Sequence, residues 1–331
     1  MEPNKRIEYM DVARGLAMLL IFLGHTHTIY SISRFCYLLN LSTFIIISGY
    51  FFNKNESLKL LLKKSLKIMI PALIVFWITR AVDIYYLGKD YNFVKDTIFA
   101  LSKNTIFDGV NSVGIVWYIP FLVMLRLVFY LISKISKNNI YIQGGITIVL
   151  TGLGIYLANK AIYLPWSFDL VLCTLVLFYI GYILKEKDIL NKYIDEKIPW
   201  IVITIVFWTI FLFINRKYWN FEIATRRINP FGLFLSVSGC LMLIKVSYLI
   251  EKYLGIISKP IKFIGKNSYW YFLSHSVESK YAVPNYWINV MPIFAFSIKI
   301  ALNTIIVEGI LFIKNLINKD LTKGKEEVKD E

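Results

Sequence analysis

The chain has 331 residues, 57% hydrophobic and 18% charged, with a formal net charge of +15 and a mean hydropathy of +0.57. Soluble domains carry about 45–50% apolar and about 25% charged residues, so an ordinary soluble fold is excluded. The lysines sit in short loops between apolar blocks of about 20 residues, where the positive-inside rule puts them, and this excludes nucleic acid as the reason for the basic charge.

The expected fold is all-α, a polytopic integral membrane protein of about ten transmembrane helices. The spans are placed at roughly 11–32, 34–52, 67–87, 114–133, 140–158, 166–184, 198–215, 230–250, 263–283 and 292–314. With the N-terminus inside, the inner loops hold roughly twice as many Lys and Arg as the outer ones, so both termini are expected in the cytoplasm. Residues 1–314 read as one membrane-embedded domain and 315–331 as a charged cytoplasmic tail. No cleavable signal peptide is expected, because Arg14 lies inside the first apolar block and no small-residue cleavage site follows. The expected location is the plasma membrane, with lipid around the spans.

The first span carries Asp11, Arg14, Gly15, Gly24, His25 and His27. Charges inside a membrane helix are costly and mark functional candidates. Arg14 and His25 are eleven residues apart, about 20° past three full turns and about 16 Å along the axis. They therefore share one face. A guanidinium can hold phosphate by paired hydrogen bonds, and a histidine can take a proton near neutral pH. The pair suits a long anionic donor entering from the cytoplasm. The competing reading is an Arg14 that snorkels to the interface and a His25 that is structural. His27 points about 200° away from His25 and is expected to face elsewhere.

The second span ends in Phe44-Ile-Ile-Ile-Ser48-Gly49-Tyr50-Phe51-Phe52, followed by Lys63, Lys64, Lys67 and Pro71. In the third, Arg80 and Asp83 have the i,i+3 spacing of a self-neutralising pair. Trp117 and Tyr118 open the fourth. They can stack on a sugar or anchor the interface. Arg126, Asp169 and Glu308 are expected to line an interior cavity. The ninth span contains Gly265-Lys-Asn-Ser268-Tyr-Trp-Tyr271-Phe-Leu-Ser-His275. His275 should lie near His25 in depth, where it would bind an acceptor, complete the base or brace a polar helix. Gly49 and Gly265 are expected to allow close helix approach. Cys36, Cys173 and Cys240 lie far apart inside spans, which indicates buried free thiols and no metal site.

In these four segments the chain resembles the membrane acyltransferase 3 family. The family's hallmark is a basic residue, ten residues, then a histidine in the first span, here Arg14 and His25. The Ser48-Gly49 segment, Trp117-Tyr118 and the Gly265–His275 segment follow in the family's order. The resemblance implies transfer of an acyl group, most often acetyl from acetyl-CoA, to a hydroxyl of a cell-envelope, capsular or exopolysaccharide glycan. It implies His25 as the acyl-transfer base and Arg14 as an orienting charge or coenzyme A contact. Lys63, Lys64 and Lys67 become candidates for the phosphates, and His275, Trp117, Tyr118 and Ser268 for the acceptor. Acetyl-CoA is expected as a substrate, with no permanently bound cofactor. A donor such as succinyl-CoA, and a transporter or flippase of a lipid-linked sugar, remain the alternatives.

Overall fold

A computed structural model of the protein describes residues 7–26, 30–88, 92–102, 117–195, 221–281 and 291–327. These residues are helical almost throughout. No strand is present among them; one isolated bridge pairs Glu222 with Arg227. The helices are α1 (Glu8–Gly24), α2 (Tyr30–Tyr50), α3 (Leu58–Leu87), α4 (Phe93–Ser102), α5 (Tyr118–Ile135), α6 (Ile140–Asn159), α7 (Phe168–Glu186), α8 (Ile189–Asp195), α9 (Pro230–Tyr253), α10 (Gly255–Lys266), α11 (Ser268–Tyr281) and α12 (Pro292–Glu327). Seven helices among the described residues are long and apolar enough to cross a bilayer, and they coincide with seven of the ten expected spans.

The other three expected spans fare differently. The span at 198–215 lies outside the described residues. The first, expected to run to residue 32, ends as a helix at Gly24. Side chains close it there. Thr26 Oγ1 donates to Leu23 O at 2.7 Å and Tyr37 Oη donates to Gly24 O at 2.8 Å. Carbonyls that a further turn would have used are thus satisfied from outside the helix. Seventeen residues make α1, about 26 Å long and at the lower end of the lengths that cross a bilayer. The ninth is broken rather than continuous. Asn267 leaves the helical geometry (φ −107°, ψ 16°), and its side-chain Nδ2 donates to Phe263 O at 3.0 Å. The segment becomes an amphipathic α10 and a polar α11.

Two helices organise the core. α1 packs against α2, α9, α10, α11 and α12, while α7 packs against α2, α5 and α6. The most apolar stretch of α7 is 72% buried, against 22% for α3, 28% for α6 and 17% for α12. The outer helices turn large apolar residues such as Leu66, Ile78, Val149, Ile305 and Phe312 outward. An apolar exterior around a helical core is what lipid requires, since helices satisfy their own backbone hydrogen bonds.

Glycines set the close contacts. A Cβ on Gly265 would meet Asp11 O at 1.7 Å, and one on Gly15 would meet Ile261 O at 2.0 Å. A Cβ on Gly49 would meet Phe178 O at 2.0 Å, and one on Gly181 would meet Ile46 O at 1.9 Å. The expectation for Gly49 and Gly265 therefore holds, and each has a glycine partner on the facing helix. These pairs bring α1 onto α10 and α2 onto α7, backbone to backbone.

Ion pairs tie the helix ends. Lys262 of α10 donates to Glu8 of α1 at 2.6 Å and to Glu251 of α9 at 2.7 Å. Glu251 first and Glu8 second hold its ammonium pKa above the ordinary range, and Lys262 holds the Glu8 carboxyl below its own. Arg80 donates to Asp83 at 3.3 Å, and both are buried, as the spacing predicts. Asp169 does not line an open cavity. It is buried in an ion pair with Arg226 and also accepts from Leu164 N at 3.1 Å. Glu308 is exposed on α12, so it lines no interior space. Arg126 is half-buried on α5. All three cysteines are buried and free.

Candidate active site

The Arg14 end of α1 is built first by local sequence. Asp11, one turn earlier, accepts from Arg14 Nη1 at 3.2 Å. The guanidinium carbon sits 4.9 Å from the Phe51 ring centroid, over the last turn of the second span. The Arg14 side chain is 27% exposed while Asp11 is 1%. A buried carboxylate thus holds a cation that still reaches solvent, which suits contact with an anion.

The opposite end of α1 carries His25 at the helix C-cap, exposed, with φ −92° and ψ 10°. His25 lies just beyond the last turn of α1. Its ring centroid is 5.2 Å from that of His275 and 6.0 Å from that of Tyr37. The expected proximity of His275 to His25 is therefore present as direct ring-to-ring packing.

His275 is fully buried on α11, with the Phe22 ring of α1 at 5.0 Å. Its Nδ1 lies 2.9 Å from Glu278 Oε2, one turn further along. Lys299 Nζ of α12 donates to Glu278 Oε1 at 2.7 Å, and Asn303 Nδ2 donates to Glu278 Oε2 at 3.2 Å. Ser274 Oγ donates to Asn303 Oδ1 at 2.6 Å. His275 Nε2 has no hydrogen-bond partner among the described residues. This buried network joins α11 to α12. The sequence alone assigns no site role to Lys299, Glu278, Asn303 or Ser274. The available signal was Glu278 at i+3 from His275 in an apolar setting.

The remaining candidates spread away from this centre. Trp117 and Tyr118 are buried, their rings 5.8 Å apart, with Tyr118 packed 5.2 Å from Phe272. They form part of the aromatic core beside α11 rather than an open stacking platform. Ser268 begins α11, seven residues from His275 and thus about 10 Å away along the axis. Lys63, Lys64 and Lys67 are exposed on α3, and Lys64 is paired with Glu56. His27 lies outside the described residues. No cluster that could hold a metal ion exists among the described residues.

No curated protein and no solved structure matches the chain. A family model described as an acyltransferase domain matches residues 7–313. That match spans the Arg14–His25 helix, the basic loop and the His275 helix, and the chain belongs to the membrane acyltransferase 3 family.

Proposed function

We propose that this membrane acyltransferase moves an acetyl group from acetyl-CoA to a hydroxyl of a cell-envelope, capsular or exopolysaccharide glycan. The observation that carries the reading is the exposed His25 imidazole at the end of the helix that bears Arg14. In this reading the protein crosses the plasma membrane ten times with both termini in the cytoplasm, and Arg14 lies toward the cytoplasmic side.

The donor's phosphates meet Arg14, with Lys63 and Lys67, exposed on α3, as further candidates to hold them, and the thioester reaches toward His25. Arg14 and His25 are about 16 Å apart along the axis, a span that an extended pantetheine arm bridges. His25 takes the proton of the acceptor hydroxyl. The hydroxyl oxygen bonds to the acyl carbon, the carbon–sulfur bond breaks, and the proton passes to the departing thiolate. Placing both reactants beside a fixed base turns an encounter into a local reaction.

Purified protein incubated with radiolabelled acetyl-CoA and membrane vesicles of the producing cells tests this. Label in the glycan fraction with matching release of free coenzyme A is expected. Movement of a lipid-linked sugar across vesicles without coenzyme A release would support the transporter alternative instead.

A further inference from the structure

We propose that His275 is a positioning residue for His25, the two imidazoles and Glu278 forming a proton relay inside the bundle. The inference rests on the acyltransferase reading above and adds a second histidine and a carboxylate to it.

The hydrogen-bond inventory assigns the tautomer. An ionised carboxylate can only accept. Glu278 accepts from Lys299 on Oε1 and from Asn303 on Oε2, and its Oε2 faces His275 Nδ1. The Nδ1 proton therefore points at Glu278, and Nε2 of the neutral ring carries a lone pair. Lys299 balances the charge of Glu278, so no surplus negative charge remains to hold a second proton on His275. That leaves a buried acceptor without a donor among the described residues. Buried polar groups normally find partners.

His25 is the group placed to supply one. An N–H···N bond of about 3 Å between two imidazoles separates their centroids by about 5 Å, and these centroids are 5.2 Å apart. His25 sits on an exposed turn, where a change of rotamer aims one nitrogen at His275. Its N–H then bonds to His275 Nε2, and its other nitrogen presents a lone pair to the acceptor hydroxyl. The logic is that of an oriented base whose imidazolium form is stabilised from behind. When His25 takes the hydroxyl proton, the new charge is shared along His25, His275 and Glu278. When the thiolate leaves, that proton is returned to it, so no further reactant is needed. The titratable groups around His275 are His25 from α1, Glu278 on its own helix and Lys299 from α12, with Tyr37 of α2 beyond His25.

The test uses the full-length protein in membrane vesicles of the producing cells, with radiolabelled acetyl-CoA and rates expressed per inserted molecule. His275→Gln is expected to lower kcat by about 10²-fold, the usual scale of general-base catalysis, with KM for acetyl-CoA unchanged. Glu278→Gln removes the charge behind His275 and uncovers Lys299, and both changes disfavour protonation of the relay. The acid limb of its pH–rate profile is expected to move to lower pH. Because a lone buried Lys299 can also unsettle the fold, the double variant Glu278→Gln with Lys299→Met removes both charges. It is expected to insert normally while kcat stays at least about tenfold low. Wild-type kcat in His275→Gln, or wild-type kcat and pH profile in the double variant, would overturn the relay while leaving the acyltransferase reading intact. A wild-type protein that transfers no label would instead overturn that reading, and the relay with it.

Discussion

The His25 ring, at the exposed end of α1, lies 5.2 Å from the His275 ring in the middle of buried α11. One histidine is reachable and the other is held. Tyr37 fixes the turn that makes this contact, through its bond to Gly24 O at 2.8 Å. Tyr37→Phe keeps the ring and frees that carbonyl. It is expected to cost about 1 kcal/mol of stability and to lower kcat a few-fold. Thermal unfolding in detergent and the coenzyme A release assay read the two effects.

Arg14 is expected to act on donor binding. A charge-assisted hydrogen bond contributes about 1.5–3 kcal/mol, so Arg14→Ala should raise KM for acetyl-CoA by about tenfold to a hundredfold. Arg14→Lys keeps the charge and loses the paired geometry, and an intermediate KM is expected. Steady-state kinetics across acetyl-CoA concentrations measure both. An unchanged KM in Arg14→Ala would remove Arg14 from the donor site.

The glycine contacts give a contrast within one protein. A Cβ on Gly265 would meet backbone at 1.7 Å, whereas nothing lies within 4 Å of one on Gly309. Gly265→Ala must push α10 off α1. Over-packing of this kind costs about 1–3 kcal/mol or more, and it displaces the helix that bears Arg14 and His25. Loss of both thermal stability and activity is expected. Gly309→Ala should be neutral or raise stability by up to about 1 kcal/mol, through helix propensity alone. Paired melting curves separate the two sites.

Much of the fold was legible because lipid imposes a simple rule, apolar blocks of fixed length. Seven spans follow it directly. The first and the ninth depart from it where polar residues pack within the bundle. Hydropathy carried the first span past His25, but Tyr37 and Thr26 close the helix at Gly24. Asn267 breaks the ninth span because its side chain competes for a helix carbonyl, which composition does not reveal. In the site, Arg14, His25 and His275 stood out as intramembrane polar groups. Glu278 and Asn303 did not, because their meaning depends on α12 lying against α11, a tertiary fact. Asp169 was read as lining a cavity because its partner Arg226 lies in a connecting segment far along the chain. Trp117 and Tyr118 stood out as motif residues, yet packing against Phe121 and Phe272 makes them core.

The central claim is that His25 is the base of acyl transfer, and one substitution tests it most directly. His25→Ala lies on an exposed turn, so the protein should insert at wild-type levels. Acetyl content of the envelope glycan is measured in cells that carry either form, with inserted protein quantified in the same membranes. Loss of glycan acetylation with normal insertion is the predicted result. Wild-type acetylation by the His25→Ala protein would contradict the account.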